Sequence, residues 1–321
     1  MLFAGDDARI AAHWKPDVCI WTGGPSHPSL LSQIARTSKV MLLVDAEINT
    51  LSRGTSLPIP GLRDTILGYF DKVFALDDVN LTGLQAAFSD SIYIENLGAL
   101  REGGYPPTCN ESELEDVRQY LSARPVWLAA LCADAEFDAV LQAHEHALRT
   151  SHRLLLIIST ANEGDGHALK ALAEARGLSA GLRSDGDDLE QGFQVYVADD
   201  PEEIGMWYRV SPLCFIGKTL VPSHSPQLLA PAALGSALIF GPLVHNTSAL
   251  ADQLESNGAA LRISDAKTLA EAVVILLAPD KAARMAHNAW EVVTEGAPVL
   301  DRLTDIAGTV LDGGGVPDAH T

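Results

Sequence analysis

Short apolar runs alternate with amphipathic segments along most of the chain. The runs at 17–21 (DVCIW) and 40–44 (VMLLV) are rich in β-branched residues and are flanked by segments with helical periodicity. A strand of a parallel sheet carries this pattern, because crossover helices cover both of its faces. The pattern therefore predicts an α/β fold built from parallel strands and helices.

The same alternation runs through two regions of the chain. In the first region, strands are predicted at 17–21, 40–44, 72–75 and 91–94, with helices near 6–14, 62–69 and 78–88. In the second region, strands are predicted near 126–131, 153–159, 194–198, 213–217, 236–240 and 259–263. The helices predicted there start at 111 or lie near 137–150, 167–176, 201–209, 227–234, 247–256, 266–277, 281–295 and 299–311.

A segment rich in glycine and proline, 103–107, separates the two regions. With 321 residues and 47% hydrophobic content, the chain is long enough for two cores. We expect a partial N-terminal α/β domain over 1–107, a second α/β domain over 111–311 and a flexible tail over 312–321. The first domain begins without the strand that should open a doubly wound sheet. We therefore expect sequence to be missing before it, and apolar surface to be exposed along 17–21.

Net charge, cysteine spacing and the length of the apolar runs argue against several classes of partner and location. The formal net charge is −20, and the 22 Lys and Arg residues form no basic run, which argues against a nucleic-acid groove. The four cysteines are far apart and are expected to be reduced core or loop residues. No apolar run reaches the roughly 18 residues of a membrane span, so the chain is expected to be cytoplasmic.

The segment 213–246 is the strongest candidate for ligand chemistry. It is predicted as a strand, a polar loop, a helix near 227–234, a second strand and a turn through Gly241. Loops at the carboxyl ends of parallel strands bind ligands in open α/β sheets. Residues 217–219 (GKT) are similar to the end of a phosphate-binding P-loop, but Pro212 stands where that loop needs glycine. A P-loop is therefore not predicted.

Two other loops leave a structural and a functional interpretation open. The turn 22–25 (TGGP), with His27 beside it, either connects a strand to a helix or brings backbone close to a ligand. The segment 199–203 (DDPEE) is typical of a helix start. Alternatively, it places the Glu203 carboxylate beside a ribose or phosphate. No zinc, kinase or hydrolase motif is present.

Several segments, taken together, carry a family resemblance. They are 124–130 (RPVWLAA), 140–144 (VLQAH), Gly217 followed by 220–222 (LVP), 231–235 (PAALG), and 240–242 (FGP) leading to Asn246. In the order of these segments, the chain resembles the bacterial 3-deoxy-D-manno-octulosonic acid (Kdo) transferases from about residue 14 to residue 311.

This resemblance implies a GT-B fold of two Rossmann-like domains, with the donor CMP-Kdo held mainly by the C-terminal domain. It implies transfer of Kdo to a lipid A precursor in lipopolysaccharide biosynthesis, with peripheral association at the inner face of the inner membrane. It implies no metal or other cofactor, and it assigns no catalytic residue in this chain. The donor-binding residues that it indicates are Glu203, Gly217, Gln227, Leu229, Gly241 and Asn246.

The residues that carry the chemistry in the family are mostly replaced. The family's N-terminal third, with its membrane anchor and catalytic base, has no counterpart here, and its Pro-Arg-His nucleotide motif is 160–162 (TAN). Of its Ser-Thr-His-Glu-Gly-Glu motif only the last glutamate, Glu136, is retained, and its sugar-binding glutamate is Ala230. Lys218 and Arg183 are the positive groups that remain for the leaving phosphate.

Two functions are compatible with this mixture. The chain is either a glycosyltransferase whose specificity has drifted, or an inactive paralogue that acts by binding a pathway enzyme or a sugar ligand. Kdo transfer is expected to be at least about a thousandfold below that of intact relatives, because one lost electrostatic donor alone costs ~10²–10³ in rate.

Overall fold

The structure, a computed structural model, describes residues 4–22, 24, 27–53, 66–88, 93–100, 106–121, 124–189, 192–222, 226–244 and 247–313. The chain forms two compact units, Met1–Gly103 together with Glu295–Thr321, and Gly104–Thr294. One unit contains a sheet of four parallel strands and the other a sheet of seven. The predicted α/β fold class, with two parallel sheets, is confirmed.

The sheet of the first unit has the strand order β1-β2-β3-β4. Its strands are β1 Val18–Thr22, β2 Val40–Ala46, β3 Lys72–Ala75 and β4 Ile94–Asn96. The helices described in this unit are α1 Ala4–Trp14, α2 Pro28–Ile34, α3 Ile48–Arg53, α4 Asp78–Ala87 and, near the chain end, α13 Ala297–Leu311. Within the described residues β1 pairs only with β2, and its Ile20 side chain is 44% exposed. Apolar surface is therefore exposed at the predicted strand.

Helix α13 packs on the sheet of the first unit. Its apolar residues recur every three or four positions, at Val299, Leu303, Ile306 and Val310, and so share one face. This face contacts the strand residues Val40, Leu42, Val44 and Phe74. The sequence predicts 111–311 as one domain, whereas in the structure the last helix of that range belongs with the four-stranded sheet, because the sheet buries its apolar face.

The second unit is built on a seven-stranded sheet. Its strands are β5 Val126–Cys132, β6 Leu155–Thr160, β7 Ala180–Leu182, β8 Val195–Ala198, β9 Leu213–Ile216, β10 Ala237–Phe240 and β11 Ala260–Arg262. Its described helices are α5 Glu111–Leu121, α6 Phe137–Leu148, α7 Gly166–Ala175, α8 Ile204–Val210, α9 Leu229–Ala233, α10 Ser248–Ser256, α11 Ala266–Leu276 and α12 Pro279–Thr294. Neighbouring strands of this sheet run parallel.

The strand order of this sheet, β11-β10-β9-β5-β6-β8-β7, sets the place of a ligand site. The chain starts in the middle at β5, builds one half outward through β6, and then returns to build the other half from β9. The order therefore reverses between β5 and β9. In doubly wound sheets ligands bind beyond the carboxyl ends of the strands at such a switch point.

Helices bury both faces of this sheet, as the apolar runs predict. Along β5, Leu128 and Ala130 face one apolar cluster, and Trp127 and Ala129 face the other. All four side chains are buried. This explains why the run carries no polar residue at alternate positions.

Most predicted elements are present in the structure, which also contains elements that the sequence does not predict. The sequence does not predict β7, whose three residues include Gly181, or the short helix α3. Gly181 is needed because a Cβ there would lie 2.5 Å from the Phe193 ring. The predicted helix 62–69 lies partly outside the described residues. Within the described part of the chain, none of the helices combines the length and apolar character needed to cross a membrane.

Candidate functional site

The carboxyl ends of β5 and β9 lie side by side at the switch point. Ala130 on β5 is paired with Ile216 on β9. The next residue, Gly217, donates its N–H to the Ala130 carbonyl oxygen at 2.8 Å. The segments that follow these strands, 133–136 and 217–222, therefore leave the sheet at adjacent positions where a ligand site is expected.

A buried carboxylate joins these two segments. Glu136 is fully buried, and its oxygens accept hydrogen bonds from the backbone N–H groups of Ala133 (3.0 Å), Lys218 (2.7 Å), Thr219 (3.0 Å) and Leu220 (2.9 Å). Burying a charge is costly unless charge-assisted hydrogen bonds compensate it, and four of them do so here. Glu136 therefore fixes the loop after β9 to the start of α6.

The loop geometry depends on a left-handed residue. Lys218 has a φ of +61°, although it is not glycine. This conformation turns three successive N–H groups toward one point, which is the kind of anion-binding concavity that often receives phosphate. Here the anion is the Glu136 carboxylate, so these N–H groups are not available to a ligand. The Lys218 side chain is half-buried and forms no ion pair among the described residues.

Two of the predicted site residues, Gly217 and Gly241, allow close approach of backbone at this edge. A Cβ on Gly217 would lie 2.5 Å from the Ala130 carbonyl oxygen, and one on Gly241 would lie 2.2 Å from that of Thr219. The Gly241 N–H donates to Thr219 Oγ1 at 2.7 Å, and the Thr219 hydroxyl donates to the Ile216 carbonyl at 2.6 Å. Both glycines thus hold the loops after β9 and β10 together.

The other predicted residues of this region are placed differently. The Gln227 side chain is exposed, and Leu229 is the first residue of α9 and packs partly against the core. Asn246 lies outside the described residues. Among the predicted residues that the structure describes, Gly217 lies in the loop 217–222 and Gly241 contacts that loop through Thr219.

Glu203 pairs with an arginine. Arg183 Nε donates to one Glu203 oxygen at 2.7 Å, and Arg183 Nη2 donates to the other at 2.8 Å and also to Glu113 Oε1. The guanidinium lies 5.7 Å from the ring centroid of Trp207. The two hydrogen bonds to Glu203, and less strongly the one to Glu113, raise the pKa of Arg183 well above its usual range. Both Glu203 oxygens are therefore engaged within the protein.

The structure also bears on the two loops that the sequence left open. Asp200 accepts a hydrogen bond from the Glu202 N–H at 2.9 Å and caps the short helical turn 201–203. The structural interpretation of 199–203 is therefore correct for Asp200. The turn 22–25 lies partly outside the described residues, and His27 is the exposed N-cap of α2, without a side-chain capping bond.

Sequence reasoning missed two hydroxyls at the end of β6, next to β5. Ser159 and Thr160 are fully buried, and within the described residues neither hydroxyl oxygen has a hydrogen-bond partner. Buried polar groups are nearly always paired, so such atoms indicate a place where water or a ligand is accommodated. Thr160 is the first residue of 160–162, which stands at the nucleotide motif of the family. This position in the family motif was the feature of the sequence that could have indicated the two hydroxyls.

Comparison with known proteins identifies relatives of the chain. No family model matches it. It is 23% identical over 302 residues to the 3-deoxy-D-manno-octulosonic acid transferase of Rickettsia felis, covering 93% of this chain and 64% of the relative. It is 26% identical over 320 residues to that of Bordetella pertussis, covering 95% of this chain and 73% of the relative. The chain thus spans about two thirds of the length of these proteins.

A solved structure shares the fold. The C-terminal CMP-Kdo binding domain of WaaA from Acinetobacter baumannii matches with a TM-score of 0.53 and 24% identity, covering 57% of this chain and 96% of that domain. The resemblance predicted from the sequence motifs is confirmed along 93% of the chain. By sequence, this chain is similar to the 3-deoxy-D-manno-octulosonic acid transferases along 93% of its length.

Proposed function

We propose that the chain is a Kdo-transferase-like glycosyltransferase that takes Kdo from CMP-Kdo and transfers it to a lipid A precursor in lipopolysaccharide biosynthesis. The observation that carries this proposal is the alignment with Kdo transferases along 93% of the chain. The proposal places the protein in the cytoplasm, in peripheral contact with the inner face of the inner membrane, because its acceptor is a lipid.

We propose that the donor binds at the switch point of the seven-stranded sheet. Gly217 and Gly241 would shape the floor of the site, and Gln227, Leu229 and Asn246 would line it. Glu203 would act through Arg183, since both of its oxygens are bonded to that side chain. The positions of Gly217 and Gly241 support this assignment, whereas Gln227, Leu229 and Asn246 rest on the family resemblance.

Lys218 is the cation best suited to the donor phosphate. Arg183 is neutralised by two carboxylates, Lys170 by Asp185 and Asp187, and Arg262 by Asp252 and Glu255. Lys218 has no such partner among the described residues, and it lies within the loop after β9 that is bonded to Glu136. A positive group is needed there because CMP leaves with negative charge on its phosphate.

The test has two parts. Calorimetric titration of the purified chain with CMP and CMP-Kdo, with UDP as the control nucleotide, is expected to show binding of the cytidine compounds only. Transfer of labelled Kdo to a lipid A precursor is then expected at a rate at least about a thousandfold below that of a full-length relative, because Ala161 and Ala230 replace the family's arginine and sugar-binding glutamate. Absence of both CMP binding and transfer would reject the proposal and favour an inactive paralogue.

A further inference from the structure

A cluster of charged side chains lies at the carboxyl edge of the seven-stranded sheet, on the side of β8 and β7. Arg183 follows β7, Glu203 follows β8, and Glu113 belongs to the first turn of α5, the helix that leads into β5. The guanidinium bonds to both carboxylates and lies over the ring of Trp207. The strand order β5-β6-β8 places the end of β8 two strand spacings, about 10 Å, from β5 at the switch point.

The guanidinium of Arg183 keeps hydrogen-bond donors that the two carboxylates do not use. An arginine side chain has five N–H donors. Nε and Nη2 direct three of them to Glu203 and Glu113, which leaves the two on Nη1. The Tyr196 hydroxyl lies beside the guanidinium and can accept one of these, since it donates its own proton to the Asp187 carbonyl oxygen at 3.1 Å. At least one N–H of Arg183 therefore remains for a ligand.

Glu113 keeps a hydrogen-bond acceptor next to this donor. Its Oε1 accepts from Arg183 Nη2, and among the described residues no group donates to its Oε2. The Glu113 side chain is 36% exposed and that of Arg183 is 24% exposed, so both reach the surface. Two side chains that are bonded to each other thus present a free N–H donor and a free carboxylate acceptor.

The net charge of this cluster limits the ligand groups that it can bind. Its two carboxylates outnumber its one guanidinium, so a phosphate or a carboxylate would be repelled. A neutral group that donates to the carboxylate and accepts from the guanidinium is suited instead. Cytosine carries this pair on one edge, as the amine at N4 and the ring nitrogen N3, and adenine carries an equivalent pair. Uracil carries the reverse, an acceptor at O4 and a donor at N3.

We propose that Glu113 and Arg183 recognise the cytosine base of the donor, with the N4 amine donating to Glu113 and N3 accepting from Arg183 Nη1. The inference rests on the proposed function, because CMP-Kdo as the donor is what favours cytosine over adenine. Glu203 is then a positioning residue, since its two hydrogen bonds fix the orientation of the guanidinium. Arg183, whose ion pairs make it unsuited to the phosphate, thus acts on the base.

CMP and UMP, titrated into the full chain by calorimetry, test this proposal because they differ only in the base. CMP is expected to bind about ten to a hundred times more tightly than UMP, since uracil would place O4 against the Glu113 carboxylate and its N3–H against the guanidinium. Glu113→Ala removes the acceptor that favours cytosine and should reduce this preference to about threefold or less. Glu113→Gln should reduce it as well, because its amide can donate to O4 of uracil.

Glu115→Ala is the matched control, because Glu115 is an exposed residue of the same helix and pairs with Arg118 rather than with Arg183. It should leave the preference for CMP unchanged. Thermal unfolding verifies that each variant folds, and Glu113→Gln decides if Glu113→Ala does not fold. If the Glu113 variants weaken binding of both nucleotides by the same factor, Glu113 only supports Arg183 and the proposal is overturned. Equal binding of CMP and UMP to the unmodified chain would also overturn it, whereas binding of neither would reject the proposed function together with it.

Discussion

The carboxylate of Glu136 accepts a 2.7 Å hydrogen bond from the backbone N–H of Lys218, 82 positions later in the chain. This contact joins the segment after β5 to the loop after β9, and those two strands meet at the switch point of the sheet. Glu136 is the one acidic residue retained from its family motif, and its contacts are internal. Its role is therefore to hold these two segments together.

Glu136→Gln should destabilise the second unit by at least about 3 kcal/mol. The amide nitrogen cannot accept a hydrogen bond, so two buried N–H groups lose their partner, and each hydrogen bond to a charged group contributes about 1.5–3 kcal/mol. Urea unfolding measures the loss, and CMP affinity should fall with it. The matched control is Glu163→Gln, at an exposed position, which should change neither. Stability equal to that of the control would contradict the role of Glu136.

Gly241→Ala should disturb the same loops through backbone contact. The new Cβ would lie 2.2 Å from the Thr219 carbonyl oxygen, so one of the two loops has to move. Such overpacking costs about 1–3 kcal/mol, and the hydrogen bond from Gly241 to Thr219 Oγ1 is strained with it. Gly308→Ala, on α13 with no atom within 4 Å of the new Cβ, should instead stabilise the chain by about 0.5–1 kcal/mol. Calorimetric unfolding temperatures compare the two variants.

The sequence predicts the sheets well because strands buried on both faces are built mostly of apolar residues. The runs that become β2 and β5 and the first four residues of β6 are mostly apolar, and in the structure these strands are almost completely buried. Strand β7 has only three residues at the edge of its sheet, so it is too short for such a pattern. The helix α13 shows a further limit, because its apolar face is evident in the sequence but the sheet that covers it is not.

The pH dependence of stability should report on His144. This side chain is fully buried on α6, accepts a hydrogen bond from Trp127 Nε1 at 3.2 Å and lies 2.9 Å from the Gln194 carbonyl oxygen. Burial, together with the charge of Arg124, lowers the pKa of His144 to about 4. Above about pH 6.5 the residue is neutral in the folded and unfolded states, so its contribution is constant.

As the pH falls from about 6.5 to 4, the unfolded chain takes up a proton that the folded chain does not, so stability decreases. The total loss from this residue is about 3 kcal/mol, complete below pH 4. Urea unfolding at several pH values measures it. His144→Gln should flatten this part of the profile, whereas His146→Gln, an exposed histidine on the same helix, should not. Identical slopes for the two variants would contradict the assignment.

The candidate site was predicted only in part, because a sequence motif does not distinguish contact with a ligand from contact within the protein. Glu203 matches the family, yet Arg183 engages both of its oxygens. The positive groups Arg183 and Lys218 looked alike in the sequence. In the structure two carboxylates neutralise the first, whereas the described residues provide none for the second.

Glu203→Gln should therefore lower the unfolding free energy more clearly than it lowers the affinity for CMP. Replacing one oxygen removes an acceptor from the partly buried pair with Arg183, and we expect a loss of about 1–2 kcal/mol in unfolding free energy. A double-mutant cycle with Arg183→Gln should give a coupling energy of about 1 kcal/mol or more. Glu202→Gln, at the adjacent exposed position, should have no effect. A tenfold loss of CMP affinity without a change in stability would show instead that Glu203 binds the donor directly.

Variants of Lys218 can separate the effect of its backbone strain from the effect of its side-chain charge. Its left-handed conformation costs about 1–2 kcal/mol for a residue other than glycine, and strain of this kind is commonly retained at functional sites. Lys218→Gly should therefore stabilise the chain by about 0.5–1 kcal/mol while reducing CMP affinity about tenfold, since the ammonium group is lost. Lys218→Met keeps the strain and the length of the side chain, so it should reduce affinity equally without the gain in stability.

Salt dependence gives a second measure of the Lys218 charge. Calorimetric titration at two salt concentrations should show that CMP binding to the unmodified chain weakens with salt more than binding to Lys218→Met. Salt screens the attraction between the Lys218 ammonium group and the phosphate, and the variant lacks that attraction. If Lys218→Met binds CMP as tightly as the unmodified chain, the phosphate is held by another group and Lys218 serves only the loop.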